Sequence, residues 1–285
     1  MLSADFIEEL SKSLNSKVVA HSPLSGGDIN EVYLLKTNIG KYVVKVNNDK
    51  LYPNMFKKEA AGLKALRKPK VIDIPKVITY GSFKNMSYLL IDFKTNGTKI
   101  DQFWEVFGHQ LAKLHRVSST QFGLSEDNYI GSLPQYNGTE QNAVDFYINQ
   151  RLEPQFKLAS ENGYSFSKID LFYTKISHLI PQEPASLIHG DLWSGNFLVN
   201  QDGLPCLIDP ATAYASREID IALMHLFGGF DRRLFDAYND EFPLAEGWRD
   251  RIELFQLYHV LVHVNLFGGG YFNQAKAIVK KYIES

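Results

Sequence analysis

The chain has 285 residues, 45% of them hydrophobic and 22% charged, with 30 Lys and Arg against 32 Asp and Glu. That near-neutral balance excludes a chain drawn as a whole onto nucleic acid or an anionic membrane by its charge, and the ordinary apolar content excludes a disordered or fibrous one. One cysteine, Cys206, excludes an internal disulfide and a four-thiolate zinc site, and fits a reducing compartment.

The N-terminal ten residues are acidic, with no basic segment and no long apolar run, so they do not read as a secretory signal. No apolar run approaches the roughly 18–20 residues needed to span a bilayer. The expectation is a cytoplasmic, soluble protein with no nucleic-acid or membrane partner. From about residue 17 to 93, short β-branched runs predict strands at 17–20, 31–35, 42–46, 76–80 and 87–91. Asn38-Ile39-Gly40 reads as a tight hairpin turn with glycine at a positive φ. One helix interrupts the strands over 54–67, on the spacing of Phe56, Ala60, Leu63 and Leu66, and Pro69 stops it. A polar linker, 94–98, follows. Beyond it, helices are predicted at 101–117, 140–160, 168–180, 217–227, 232–239, 248–266 and 272–283. A small β-rich patch at 186–189, 197–199 and 205–208 interrupts them, with a turn at 201–203.

The reading is α+β and bilobal: a β-rich N-terminal lobe with one main helix (1–93), a hinge (94–98) and a mostly helical C-terminal lobe (99–285). A crevice between two lobes is a usual ligand site.

The chemistry concentrates in His189-Gly190-Asp191-Leu192-Trp193-Ser194-Gly195-Asn196, followed by Leu207-Ile208-Asp209-Pro210. A hairpin of 197–199 against 205–208 would set Asn196, just before one strand, beside Asp209, just after the other. Mg²⁺ prefers oxygen ligands and is usually held by one or two protein groups plus substrate phosphates, which suits an amide oxygen and a carboxylate meeting there. Asp191, on the preceding loop, is placed to accept a proton from an attacking hydroxyl. The spacing resembles a kinase catalytic loop, in which four residues separate an aspartate from an asparagine and a later aspartate binds metal.

Such a site needs a phosphate-binding lysine. Lys45 lies in an otherwise apolar strand, and a lysine is rarely buried unless paired. Glu59 on the following helix is the expected partner. Gly26 and Gly27 could let backbone N–H groups approach phosphates, although such a pair is also an ordinary hairpin turn. There is no G-x-x-x-x-G-K-[ST] and no strand-linked G-x-G-x-x-G, which argues against a P-loop or dinucleotide enzyme. Ile91, Asp92 and Phe93 end the last strand before the linker, where a bilobal kinase binds adenine through its backbone. His259 and His263 stand four apart without the glutamate of a zinc protease, and read as core or helix-face residues. His189 reads as a buried loop-shaping residue and Asp220 as a brace for the loop. Trp193, inside the loop, is a candidate substrate contact.

The 189–196 segment resembles the signature of the fructosamine kinase (ketosamine-3-kinase) family, within the small-molecule kinases of protein-kinase-like fold. Further matching stretches are Phe122-Gly123-Leu124, Asp127-Asn128-Tyr129-Ile130-Gly131-Ser132-Leu133-Pro134-Gln135, Gln150-Arg151-Leu152, Arg217-Glu218-Ile219-Asp220-Ile221-Ala222 and Asn265-Leu266-Phe267-Gly268-Gly269-Gly270-Tyr271. The resemblance spans nearly the whole chain. It implies ATP as phosphoryl donor, Asp191 as base, Asn196 and Asp209 as Mg²⁺ ligands, Lys45 with Glu59 as phosphate clamp, and residues 91–93 as adenine hinge. The implied acceptor is the sugar 3-hydroxyl of a free or protein-bound ketosamine, an amine glycation adduct that falls apart once phosphorylated. Gly190 stands where protein kinases carry the arginine of H-R-D, Asp209-Pro210-Ala211 replaces D-F-G, and A-P-E is absent, so no activation-loop switch is expected. An aminoglycoside, choline or other small-alcohol kinase, and a nucleotide-binding pseudokinase, remain the alternatives. The oligomeric state stays open.

Overall fold

The structure, a computed structural model, describes residues 2–24 and 29–284. The first part of the chain forms α1 (Ala4–Ser13), β1 (Val18–Pro23), β2 (Glu31–Thr37), β3 (Lys41–Asn48), α2 (Met55–Arg67), β4 (Val77–Phe83) and β5 (Met86–Asp92). The strands make one antiparallel sheet in the order β1-β2-β3-β5-β4. Side chains alternate between faces along a strand, and here both faces are covered. Val44, Val46, Tyr88 and Leu90 pack with Phe6 and Leu10 of α1. Leu89 and Ile91 pack with Phe56, Ala60, Leu63 and Leu66 of α2. This is why β5 reads as a continuous apolar run rather than an alternating one.

The remainder holds α3 (Phe103–His115), β6 (Ser118–Ser119), β7 (Asn128–Ile130), β8 (Leu133–Gln135), α4 (Ala143–Tyr147), a π-helical turn (Ile148–Leu152), α5 (Glu153–Glu161), α6 (Ile169–Ser177), β9 (Ala185–Ile188), β10 (Phe197–Val199), β11 (Pro205–Leu207), β12 (Ala213–Ala215), α7 (Glu218–Phe227), α8 (Arg232–Glu241), α9 (Trp248–Phe267) and α10 (Gly270–Glu284). Two small hairpins, β7–β8 and β10–β11, and the sheet β12-β9-β6 lie among the helices. One apolar core belongs to the helical part alone. A second runs from α2, Ile72 and Ile74 into α3, Leu187, Leu192, Leu207, Ile221 and Met224, so the two parts share a core beneath the sheet. Asp73 adds a polar tie. Its carbonyl accepts from Leu207 N–H (2.9 Å), and its carboxylate accepts from Lys94 (2.7 Å) and Asn200 (3.0 Å). No helix among the described residues is long and apolar enough to cross a membrane.

Four local expectations change. The N-terminal helix α1 was not anticipated. Ser3 caps it by accepting from Phe6 N–H (3.3 Å), and Phe6 and Leu10, four apart, form its buried face. Gly40 does not take a positive φ. The β2–β3 turn is closed instead by Thr37, whose hydroxyl accepts from Ile39 N–H (3.2 Å) and donates to Gly40 O (3.0 Å). The stretch 140–160 is not one regular helix. Pro154 has no N–H for the Gln150 carbonyl; the Arg151 guanidinium donates to that carbonyl (3.0 Å), and Glu153 N–H bonds Ile148 O across a π turn. Finally, 186–189 pairs not with the β10–β11 hairpin but with β12, another strand that had not been anticipated, and with β6.

The α1–sheet contact gives a direct check. Leu10 is fully buried, and Leu10→Ala removes its side chain from a packed layer. The expected cost is about 2–5 kcal/mol, read as a lower urea midpoint with an unchanged slope.

Candidate active site

Alternation along β3 turns Val44 and Val46 toward α1 and Lys45 toward α2. Lys45 is 5% exposed. Its ammonium donates to Glu59 Oε1 (2.6 Å) and to Asp209 Oδ1 (2.5 Å). Burial alone would favour the neutral amine, but the Asp209 and Glu59 charges outweigh it and hold the Lys45 pKa above its ordinary value. A strand, a helix and a loop 164 residues away in sequence therefore meet at one nitrogen.

The β10–β11 hairpin forms in the register Phe197↔Leu207, Leu198↔Cys206, Val199↔Pro205. Its turn is shaped by the Asn200 side chain, which accepts from Asp202 and Leu204 N–H (3.0 Å each). At the open end Ile208 N–H bonds Asn196 O (3.0 Å), so Asn196 and Asp209 flank the same end. The Asn196 amide donates to the Asp191 carbonyl (2.8 Å) and to Asp191 Oδ2 (3.0 Å). Both contacts use its nitrogen and leave the amide oxygen free to act as a ligand. Burial, then the Asp209 charge, push the Asp191 carboxyl up to about 7, against the hydrogen bond from Asn196.

Asp209 takes a left-handed φ of 56°, a strained geometry for a non-glycine residue that persists only where its surroundings over-determine it. His189 supplies part of that constraint: its Nε2–H donates to Ile208 O (2.8 Å), and its carbonyl accepts from Ala211 N–H (2.9 Å). Gly190 has a φ of 83°, and a Cβ there would lie 2.0 Å from Ala211 O. This is why glycine precedes Asp191. Asp220, fully buried, accepts from His189 N–H (2.7 Å) and Gly190 N–H (2.8 Å) and contacts His115 Nε2 (3.2 Å). His259 Nε2–H donates to Gly190 O (2.9 Å). His115 and His259 were not singled out for this role. Each is a histidine within an apolar helical run, and nothing in the sequence distinguishes such a residue from a core one.

The remaining candidates are placed as follows. Gly26 and Gly27 lie outside the described residues. Ile91 is a buried sheet residue. The N–H groups of Asp92 and Phe93 are already taken by Lys76 O (3.0 Å) and Lys41 O (3.3 Å). The Asp92 carboxylate is engaged by Lys76 N–H and Lys94. A backbone donor to an adenine ring would therefore come from residues after Phe93. Trp193 is 40% exposed, its ring lying over Gly195 and 6.3 Å from that of Phe227.

No cluster of three or more His, Cys, Asp or Glu side chains able to hold a metal occurs among the described residues. The Asn196 amide oxygen and the Asp209 carboxylate instead offer two hard oxygens at one hairpin end. That donor set fits Mg²⁺ shared with nucleotide phosphates rather than a protein cage.

The family model for fructosamine kinase matches residues 2–285. A protein of Synechocystis sp. named as a ketoamine kinase is 38% identical over 261 residues, covering 90% of this chain and 88% of its own. A chloroplastic protein of Arabidopsis thaliana named as a protein-ribulosamine 3-kinase is 33% identical over 293 residues, covering 99% and 89%. A crystal structure from Thermobifida fusca, named as a fructosamine-3-kinase, superposes with a TM-score of 0.86 at 31% identity over 98% of each chain. Aminoglycoside phosphotransferases of known structure share the fold alone, with TM-scores of 0.62 to 0.66 at 13 to 17% identity. With its α+β, bilobal, protein-kinase-like architecture and full-length match, the chain belongs to the fructosamine kinase family.

Proposed function

We infer that this chain is an ATP-dependent phosphotransferase whose acceptor is a sugar hydroxyl of a ketosamine. The observation that carries the reading is the meeting of Lys45, Glu59 and Asp209 beside Asp191 and Asn196, in a chain of this family. The names of its relatives support an acceptor among fructosamine- and ribulosamine-type adducts. The likeness to aminoglycoside phosphotransferases is one of fold only.

In the proposed division of labour, Lys45 presents a permanent positive charge to the nucleotide phosphates, aimed by Glu59. Asp191 receives the proton of the sugar 3-hydroxyl as its oxygen attacks the γ-phosphorus in line and the bond to the β-phosphate oxygen breaks. Burial holds the Asp191 carboxyl above its ordinary value, the direction that favours a general base. Asn196 and Asp209 would hold Mg²⁺, which supplies charge neutralisation at the transferring phosphoryl group. Asn196 also restrains the Asp191 carboxylate. The linker after Phe93 is the proposed source of backbone donors to adenine, with residues 91–93 as the strand end that leads into it, and Trp193 a proposed acceptor contact. The product would be a 3-phosphorylated ketosamine that decomposes and frees the amine, a repair reaction on a small-molecule or protein-bound adduct in the cytoplasm.

The test is a side-by-side assay of a fructosamine, a ribulosamine, kanamycin and choline with labelled ATP, with the phosphate position read by NMR. Transfer to the 3-hydroxyl of a ketosamine is expected; transfer to kanamycin or choline alone, or to nothing, would overturn the reading. Asp191→Ala should lower kcat by about 10²–10⁴-fold while nucleotide binding, measured by calorimetry, persists. Asp209→Asn should raise the Mg²⁺ concentration required for half-maximal activity, read in a metal titration.

Asp220 sets a pH limit on the same site. Burial pushes its carboxyl up, but the His115 hydrogen bond and the His189 N–H bring it below its ordinary value. Its contribution to stability is therefore complete above about pH 4, the unfolded-state value, and fades as the pH falls through the lower folded value. Asp220→Asn should cost about 3 kcal/mol at pH 7 and lose this acid limb, as followed by urea midpoints between about pH 3 and 7.

A further inference from the structure

The stretch Asn128–Gln135, the β7–β8 hairpin, has no part in the chemistry above, yet its polar side chains are buried. Asn128 is 6% and Gln135 2% exposed, and Asn137, just beyond the hairpin, is 1% exposed. They make one continuous network. The Gln135 amide donates to Ala211 O (2.9 Å) and Asn128 Oδ1 (2.8 Å), while its oxygen accepts from the Tyr258 hydroxyl (2.8 Å). The Asn128 amide donates to Thr212 O (2.8 Å), and its oxygen also accepts from Asn137 (2.9 Å). The Asn137 oxygen accepts from Arg151 (2.9 Å), whose guanidinium also reaches the Tyr136 carbonyl.

The network has a direction. Arg151 can only donate, it is 1% exposed, and its guanidinium bonds go to the Tyr136 and Gln150 carbonyls and the Asn137 amide oxygen rather than to a carboxylate. It is held over the rings of Phe146 (4.5 Å) and Tyr258 (5.4 Å). A donor at Arg151 turns the Asn137 oxygen toward itself, so the Asn137 amide nitrogen points to Asn128, whose own nitrogen then points to Thr212 O. The Tyr258 hydroxyl orients Gln135 in the same sense, with its nitrogen toward Ala211 O. The chain of donors therefore ends on the carbonyls two and three residues after Asp209.

The hairpin also grips the helix that carries Glu59. The Tyr129 hydroxyl donates to Pro53 O (3.0 Å), and Lys58 lies over the Tyr129 ring (5.2 Å). Just ahead of the hairpin, Lys57 pairs with Glu126 (3.2 Å). One small ribbon thus touches both carboxylate-bearing elements that meet at Lys45.

We propose that Asn128 and Gln135 are positioning residues for phosphoryl transfer: the β7–β8 hairpin, oriented by Arg151 and Tyr258, clamps the Ala211 and Thr212 carbonyls and so holds Asp209 in the left-handed conformation that brings its carboxylate to Lys45. His189 secures this segment from one side and the hairpin from the other. The kinetic part of the proposal rests on the phosphotransferase reading; the structural part does not.

The test uses Gln135→Met, which keeps the length of the side chain and removes both amide functions. The milder Tyr258→Phe removes only the hydroxyl that orients Gln135. Amide exchange across 205–215 in the ligand-free protein, read by mass spectrometry, should accelerate about tenfold in Gln135→Met while the interior of α9 keeps its protection. The Mg²⁺ concentration for half-maximal activity should rise about 10- to 100-fold, with the KM for the ketosamine unchanged. Tyr258→Phe should move both readouts the same way by less, and it decides the matter if Gln135→Met does not fold. Wild-type exchange over 205–215 together with a wild-type Mg²⁺ requirement would overturn the clamp. So would loss of protection spread evenly over the chain, which is the mark of a merely structural residue. A wild-type protein that turns over no ketosamine would overturn the phosphotransferase reading, and the exchange measurement would still decide the clamp.

Discussion

A lysine ammonium in a protein interior must find negative charge or lose its proton, and Lys45 finds two carboxylates from opposite directions. That requirement organises the molecule. To satisfy it, β3 must present Lys45 to α2, α2 must carry Glu59 at the right turn, and the loop after β11 must deliver Asp209 from the far half of the sequence. One ammonium between two carboxylates leaves a net charge of −1, with Asp191 close enough to feel Asp209. The triad is poorly described as a stabilising ion pair, because burying such groups costs about as much as their attraction returns. Its value is positional: the lysine stays charged and points one way.

The surrounding scaffold follows the same logic with different groups. Charged groups that must remain charged, Asp220 and Arg217, are saturated with hydrogen bonds. His189 and His259 are fully buried, and burial depresses both pKa values, in His259 to about 4, so both serve as neutral donors to backbone carbonyls. Backbone groups around the catalytic loop are thereby fixed by side chains rather than by regular ladders. This lets the backbone adopt the left-handed turns at Gly190 and Asp209 with the N–H and C=O groups of His189 and Gly190 and the carbonyl of Ile208 all hydrogen-bonded. A rigid polar cage of this kind suits an enzyme whose catalysis is chiefly positioning and charge neutralisation.

Several features were legible in the residue string. The five strands of the main sheet and most helices follow from period-2 and period-3.6 patterns, and Lys45 betrays itself as a charge in an apolar strand. The spacing Asp191–Asn196–Asp209 survives into three dimensions because a two-stranded ribbon is a local structure: its ends meet whatever the rest of the chain does. Other features were hidden. Helix α1 is short and lies in an acidic terminus, although Ser3 and the Phe6–Leu10 spacing carry its signal. The π turn at Ile148–Leu152 depends on Pro154 and on where Arg151 can reach, which no periodicity reports.

Residue order alone determined the local elements, the hairpin end that gathers Asn196 and Asp209, and the family, because each depends on neighbours within a few tens of residues or on a contiguous signature. Only the tertiary structure decided which buried polar groups serve the site. His115, Asn128, Gln135 and His259 look like ordinary helix or turn residues until folding brings them against oxygens from 69 to 105 residues away, as with His259 and Gly190 O or His115 and the Asp220 carboxylate. A hydrogen bond is specified by distance and direction between two groups. A sequence supplies the groups but not where long-range packing will bring them together.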